Sequence, residues 1–224
     1  MKVLGLTSAM RTVGASVVSD NSVLSESTYS GKTAQSEKLV PLVEDVLKRT
    51  KTDLKDLDAV SVAIGPGSYS GLRGGLAAAK ALVSVLKIPI IAVSTTHAIA
   101  YNLIDSGRTI AVAVNAMRDE YNFALFGSDQ GKLERLTDDL VVKLDKIAEV
   151  FMKIEGDIML ISDSEVRSVI KNENIKFAGP GADVAWARNV ALIGIEKLKN
   201  KEISDFISLS PQYSHKPNIR EFKK

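Results

Sequence analysis

The groups that could do chemistry in this 224-residue chain are few: two histidines, His97 and His215, no cysteine, and one glycine-rich run, GPGSYSGLRGG, over residues 65–75. The lack of cysteine removes thiolate nucleophiles, disulfides, zinc fingers and iron–sulfur ligation together. A serine hydrolase needs a base beside its nucleophile. His97 follows Ser94-Thr95-Thr96 at an expected helix start, where capping or packing is the common fate, and His215 sits in a polar, proline-containing tail. Neither has an acidic orienter nearby in sequence, and no His-x-x-x-His or His-Glu-x-x-His pair is present to hold a hydrolytic metal. The expectation is no catalytic residue, no metal ligand and no cofactor.

The glycine-rich run could aim backbone N–H groups at a phosphate, since it opens a helix. It lacks the Gly-Lys-Ser/Thr ending of a Walker A loop, and it does not follow the first strand of a βαβ unit as the dinucleotide fingerprint does. A turn that lets two segments pack closely is the other reading. The basic residues at the end, His215, Lys216, Arg220, Lys223 and Lys224, read as a solvated tail, with contact to RNA phosphates as the alternative.

These groups must be carried by a folded scaffold. Hydrophobic residues make up 45% and charged residues 25%, which excludes wholesale disorder, and a net charge of +2 is too small to argue for nucleic acid from bulk charge. No run approaches the roughly 18 consecutive apolar residues of a membrane span, so a soluble cytoplasmic protein without membrane contact is expected.

Apolar runs and turn signals predict strands over residues 2–7, 14–19 and 22–29, a helix over 33–50, a strand over 57–64, a helix over 69–86, a strand over 88–93 and a helix over 94–103. Thr33 or Ser36 is the expected cap of the first helix. Pro41 fits only in its first turn or at a bend. The pattern restarts after residue 105 with strands over 109–115, 121–126 and 133–142, a helix over 147–153, a strand over 158–161 and a helix over 183–199. The order predicts an α/β fold of two related lobes, 1–104 and 105–224, each a mixed sheet with covering helices.

Residues 69–86, YSGLRGGLAAAKALVSVL, hold too few polar residues for a helix covered on one side. Leu72, Leu76, Ala79, Val83 and Leu86 make one apolar row; Gly71, Gly75, Ala78, Leu82 and Val85 make a second. Glycine costs roughly 1 kcal/mol relative to alanine inside a helix, so Gly71, Gly74 and Gly75 need a compensating reason. A second protein pressed against the helix would supply one; packing within this chain, or a longer turn, are the alternatives. The preceding helix, with Leu39, Val43, Val46 and Leu47, is the expected neighbour in such a surface.

The run GPGSYSGLRGGL followed by AAAKAL resembles the GPGSFTGLRxGLxxAKxL signature of the TsaB (YeaZ) family. Weaker matches extend along most of the chain. Gln35 to Pro41 is similar to the family's HSExLLP, and Ser94-Thr95 lies at its SSL-like stretch. Asn115-Ala116-Met117-Arg118 with Tyr121 is similar to DARRxEVY, residues 179–182 to a late glycine turn, and Pro211-Gln212-Tyr213 to a terminal PxYLR. The resemblance implies an actin-like ATPase (ribonuclease H-like) fold. It also implies a part in making N6-threonylcarbamoyladenosine at position 37 of tRNAs that read ANN codons. In that family the catalyst is the paralogue TsaD, and the TsaB subunit is noncatalytic. TsaB docks on TsaD through its first two helices, with the ATPase TsaE joining the assembly; tRNA is met through the complex. The same helices allow a homodimer.

Carried onto this chain, the expected interface is Leu39, Val43 and Val46 on the first helix with Gly71, Leu72, Gly75, Ala78, Ala79 and Leu82 on the second. Gly75→Arg is expected to leave the monomer folded and to abolish docking. Two positions depart from the family: Thr7-Ser8-Ala9 stands where it has Asp-Thr-Ser, and Gln35 where it has histidine. Both remove groups that an active phosphotransferase would use. The rival is an active actin-fold enzyme, a small-molecule kinase or a glycoprotease-like peptidase.

Overall fold

The computed structural model describes residues 1–31 and 36–215. Thr33, Gln35 and the basic residues from Lys216 onward lie outside the described residues.

The first sheet is built from β1 (Lys2–Thr7), β2 (Thr12–Ser19), β3 (Ser22–Ser30), β4 (Ala59–Gly65) and β5 (Ile90–Ser94), in the order β3-β2-β1-β4-β5. The three N-terminal strands form the expected antiparallel meander, and β1 continues the sheet in parallel with β4, as β4 does with β5. Strands β1, β2 and β4 are buried almost end to end. That explains why they read as continuous apolar runs rather than alternating ones: both faces of the sheet are covered.

One face carries α1 (Leu39–Thr50) and α2 (Tyr69–Leu86). Helix α1 begins later than expected. Ser36 opens a short 3-10 turn, and Lys38 at the helix start makes no side-chain capping hydrogen bond, so Ser36 is not the cap. Pro41 falls in the first turn, where its missing N–H has no partner to lose. Helix α2 has the predicted bounds: Ser68 accepts from the Gly71 N–H at its start, and Lys87 in the left-handed region closes it.

The second sheet follows α3 (Thr95–Ala100). It contains β6 (Thr109–Met117), β7 (Glu120–Asp129), β8 (Lys132–Arg135), β9 (Leu140–Lys143), β10 (Ile158–Ser162) and β11 (Ile175–Phe177), in the order β11-β10-β6-β7-β8, with β9 also on β7. Helices α4 (Leu144–Phe151) and α5 (Ser164–Val169) cover its outer face. The single strand expected over 133–142 is two short ones. Between them the Leu125 N–H donates to Thr137 Oγ1 at 2.9 Å, so a side chain replaces the ladder where β8 ends.

The boundary near residue 105 separates the sheets but not all the material that packs on them. Helix α6 (Ala187–Lys199) returns to the first sheet and covers the face opposite α1 and α2. It starts later than the expected residue 183. It lies so close to β1 that a Cβ on Gly5 would collide with the Ala187 carbonyl and stand 2.7 Å from Ala191 N. The segment after α6 stays on the same lobe: the Ser204 N–H donates to Ile90 O at 3.1 Å and the Gln212 N–H to Ile64 O at 2.7 Å. The lobes share one buried cluster, in which Ala63, Leu72 and Val93 meet Val112, Ala124 and Phe126. Among the described residues no helix is long and apolar enough to cross a membrane.

Candidate functional site

The helical surface singled out by sequence is mostly inward. On α1, Leu39, Val43 and Val46 are buried in the core beneath the helix, and on α2 Leu72 and Ala79 are buried against the sheet. Gly71 and Gly75 are buried as well, and for Gly75 the reason lies inside the chain. Ser8, in the loop after β1, donates its hydroxyl to the Gly71 carbonyl at 2.7 Å, and a Cβ on Gly75 would strike the same Ser8 oxygen. The tight approach that Gly75 permits is to this chain's own first loop, and a Cβ on Gly74 would stand 2.6 Å from Ser36 Oγ. Gly75→Arg therefore would not leave the monomer intact, which corrects that expectation. Ala78 and Leu82 are half-buried.

What α2 turns outward is a different strip. Ala77, Ala81, Ser84 and Val85 are exposed, Val85 at 80%. Beside it runs α1, with Val40 56% exposed. The polar flank of α2 is covered by the C-terminal segment. Arg73 lies over the Tyr69 ring and donates from Nε to the Tyr213 hydroxyl at 2.9 Å, while Tyr69 and Tyr213 stack 5.0 Å apart. Further along, Lys80 lies over Phe206 and donates to the Ile207 carbonyl. The strip between this strap and α1 is uncharged.

The glycine turn before α2 is used for packing. The Ser68 N–H donates to Ala9 O at 2.7 Å and the Gly71 N–H to Ser68 Oγ, so two of the groups a phosphate would need are already spent. His97 is half-buried beside Phe126, its shielded Nε2 has no partner among the described residues, and burial together with Arg135 and Lys197 pushes its pKa down to about 3. Such an imidazole stays neutral near pH 7. His215 pairs with Glu120 at 3.0 Å. Among the described residues no group of three or more His, Asp or Glu stands close enough to hold a metal ion.

Sequence reasoning missed the polar residues at the cleft between the lobes. Arg135 donates to Ser94 Oγ at 2.7 Å and Thr96 Oγ1 at 3.1 Å, pairs with Asp139 at 3.3 Å, and lies over the Phe126 ring. Asp139 accepts from both Ser94 and Thr96. The i, i+4 spacing of Arg135 and Asp139 was hidden by reading one strand across both. At the cleft's far side the β6–β7 hairpin holds Met117, Arg118 and Asp119 at positive φ, with Asn115 Oδ1 accepting from the Met117 N–H. The Tyr121 hydroxyl donates to Glu165 at 2.8 Å, and burial with that carboxylate raises its pKa.

Comparison with known proteins agrees with the architecture. YeaZ from Pseudomonas aeruginosa superposes with a TM-score of 0.83 at 18% identity, covering 95% of this chain and 99% of that one, so the two-lobe α/β fold is shared. The TsaB protein of Bacillus subtilis, named for tRNA threonylcarbamoyladenosine biosynthesis, is 27% identical over 95% of this chain and 93% of its own length. Its namesake in Buchnera aphidicola subsp. Schizaphis graminum is 32% identical over 62% of this chain and 68% of its own length. The family model described as TsaD, tRNA N6-adenosine threonylcarbamoyltransferase, matches residues 22–221. The chain thus belongs to the family that this model describes, and within it to the TsaB (YeaZ) group of threonylcarbamoyladenosine biosynthesis.

Proposed function

We propose that this chain is a noncatalytic subunit of the assembly that forms N6-threonylcarbamoyladenosine at position 37 of tRNAs reading ANN codons. It docks on the catalytic paralogue TsaD through the outer face of α1 and α2. The observation that carries this reading is the run of uncharged residues Ala77, Ala81, Ser84 and Val85 that α2 leaves exposed, with Val40 exposed on the neighbouring α1. Ala78 and Leu82 border the strip and become the two residues of the sequence-based interface that a partner reaches directly. Leu39, Val43, Val46, Gly71, Leu72, Gly75 and Ala79 act from beneath, by fixing how the two helices stand on the sheet.

In this reading the work done is mechanical. Helices that dock on a partner at a fixed angle stabilise one arrangement of that partner's lobes, and a bound subunit shifts the equilibrium by its differential affinity for the two arrangements. The neutral His97 and the occupied glycine turn support a subunit that leaves the chemistry to TsaD. TsaE joins the same assembly, tRNA is met only through it, and a homodimer forms through the same face when TsaD is absent. All of this takes place in the cytoplasm.

The test is reconstitution. TsaD and TsaE with threonylcarbamoyl-adenylate and tRNA should modify adenosine well only when this chain is added. The chain alone should turn over neither ATP nor peptide. Modification at the same rate without the chain, or turnover by the chain alone, overturns the reading.

A further inference from the structure

After α6 the chain is fastened to the first lobe at two points. The Ser204 N–H donates to Ile90 O at 3.1 Å and the Ala92 N–H donates to Ser204 Oγ at 2.9 Å, which ties the segment to the edge strand β5. Further on, Leu209 packs against the core beneath α1 and α2. Between these anchors residues 205–209 form one closed turn. The Leu209 N–H donates to Asp205 O at 3.0 Å. The Asp205 carboxylate accepts from the Ile207 N–H at 3.3 Å, the Ser208 N–H at 3.0 Å and the Ser208 hydroxyl at 2.5 Å. The bonds from Ser208 and Ile207 hold that carboxyl below its usual range. From α2, Lys80 donates to the Ile207 carbonyl at 3.4 Å, and its ammonium faces the Phe206 ring.

The side chain that this turn presents is Ile207, 85% exposed, with Phe206 and Ile203 exposed nearby in the chain. The fold does not need an apolar group there. The turn is closed by backbone groups, Asp205, Ser208 and Lys80, and its apolar anchor is Leu209. A branched side chain held out on a backbone that is fixed on both sides makes a contact at little further ordering cost.

The turn stands on the flank of α2, at the border of the uncharged strip, because Lys80 lies one helical turn from Ala77 and from Ser84. The strip has a floor of short side chains, Ala77, Ala81 and Ser84, with Val40 on its α1 side and Ile207 on its other side. A stable contact covers about 800 Å² on each partner. Those short side chains offer less, so a protein that closes over them must also cover the turn. The charged groups that touch the turn, Lys80 and Asp205, are engaged within the chain. A projection and a shallow uncharged floor thus lie side by side on one face. A surface carrying both is complementary to itself, which is the condition for a contact repeated about a two-fold axis.

We propose that this face receives a second copy of the chain, with Ile207 of each copy seated on the Ala77 and Ala81 floor of the other. The inference rests on the reading of the α1–α2 face as a docking surface and adds the 205–209 turn to it.

The chain has no cysteine, so single introduced cysteines report the geometry directly. Chains carrying Ile207→Cys are mixed with tagged chains carrying Ala81→Cys and treated with a short bis-maleimide; dimers joining the two kinds of chain should form. Chains carrying Met152→Cys in place of Ile207→Cys should not be joined to Ala81→Cys. In sedimentation velocity over a concentration series, Ile207→Ser should weaken self-association at least about tenfold in Kd. Its melting temperature should be unchanged, because the side chain is exposed. Absence of the cross-link between positions 207 and 81 overturns the proposal. A chain that stays monomeric at every concentration also overturns it, while leaving docking on TsaD to be judged by co-elution. If Val85→Glu abolishes self-association and Ile207→Ser does not, the α1–α2 face stands and the turn is no part of it. If Ile207→Ser instead weakens co-elution with TsaD and leaves self-association intact, the turn serves TsaD and the second-copy assignment falls.

Discussion

Ser8 and Gly75 share one small space: the Ser8 hydroxyl, donating to the Gly71 carbonyl at 2.7 Å, occupies the place where a Cβ of Gly75 would be. The loop after β1 is thereby tied to the first two turns of α2. Gly75→Ala forces the hydroxyl to swing away and lose its acceptor, and overpacking of this kind costs about 1–3 kcal/mol. Ser8→Ala alone should cost about 1 kcal/mol for the lost hydrogen bond. The Ser8 Cβ itself stands 3.7 Å from where the new methyl would lie, an ordinary contact. The double variant should therefore be more stable than the sum of the single losses implies, and urea midpoints for the four proteins measure that coupling. Simple additivity would show that the two residues do not share the space.

Gly5 on β1 makes a harsher case, because its neighbours are backbone. A methyl there meets the Ala187 carbonyl and Ala191 N at the start of α6, and neither can rotate out of the way. Gly5→Ala should destabilise by the upper end of the overpacking range, about 3 kcal/mol. Hydrogen exchange should show the loss concentrated in α6 and β1. A loss smaller than that of Gly75→Ala would mean that α6 shifts freely on the sheet.

How much of this was readable from sequence follows from where the information sits. Helix α2 was placed to the residue because the glycine turn before it is adjacent in the chain and its apolar rows are local. The meander of β1, β2 and β3 was legible for the same reason, with Asp20-Asn21 marking the turn. The glycines of α2 were seen as a demand for close approach, and that was right in kind. The partners, Ser8 for Gly75 and Ser36 for Gly74, are distant in sequence, and nothing in a single sequence pairs them. Helix α6 looked like second-lobe material because it follows second-lobe strands, yet Gly5 and Gly194 hold it on the first sheet: a Cβ on Gly194 would stand 2.6 Å from the Ser61 side chain.

His97 should make the protein sensitive to acid. Its folded pKa is about 3, against roughly 6.5 in the unfolded chain. Between those values the unfolded chain takes up a proton that the folded chain refuses. The stability contributed by the neutral imidazole is thus complete above pH 6.5 or so and is lost as the pH falls toward 3. The slope approaches about 1.4 kcal/mol per pH unit, or roughly 2.7 kcal/mol by pH 4.5. His97→Leu should flatten the melting temperature against pH over that window, with carboxylate contributions cancelling in the difference. Parallel curves for the two proteins would show that the imidazole is protonated in the folded state.

The docking face is tested by residues that the fold does not need. Ala81 and Val85 are exposed on α2, so Ala81→Arg and Val85→Glu should change stability by no more than about 0.5 kcal/mol. Each places a charge in the middle of the uncharged strip. An interface closing over it would have to desolvate that charge without a partner, so co-elution with TsaD should be lost or weakened at least tenfold. Met152, 76% exposed in the second lobe, supplies the control: Met152→Glu should leave co-elution intact. The same pair of α2 variants should also suppress self-association measured by light scattering, because one face cannot serve a second copy and TsaD in different ways. If both α2 variants co-elute with TsaD as the parent does, the partner sits elsewhere on the molecule. If TsaD binding is lost while self-association persists, the two contacts use different surfaces, and only the docking half of the reading stands.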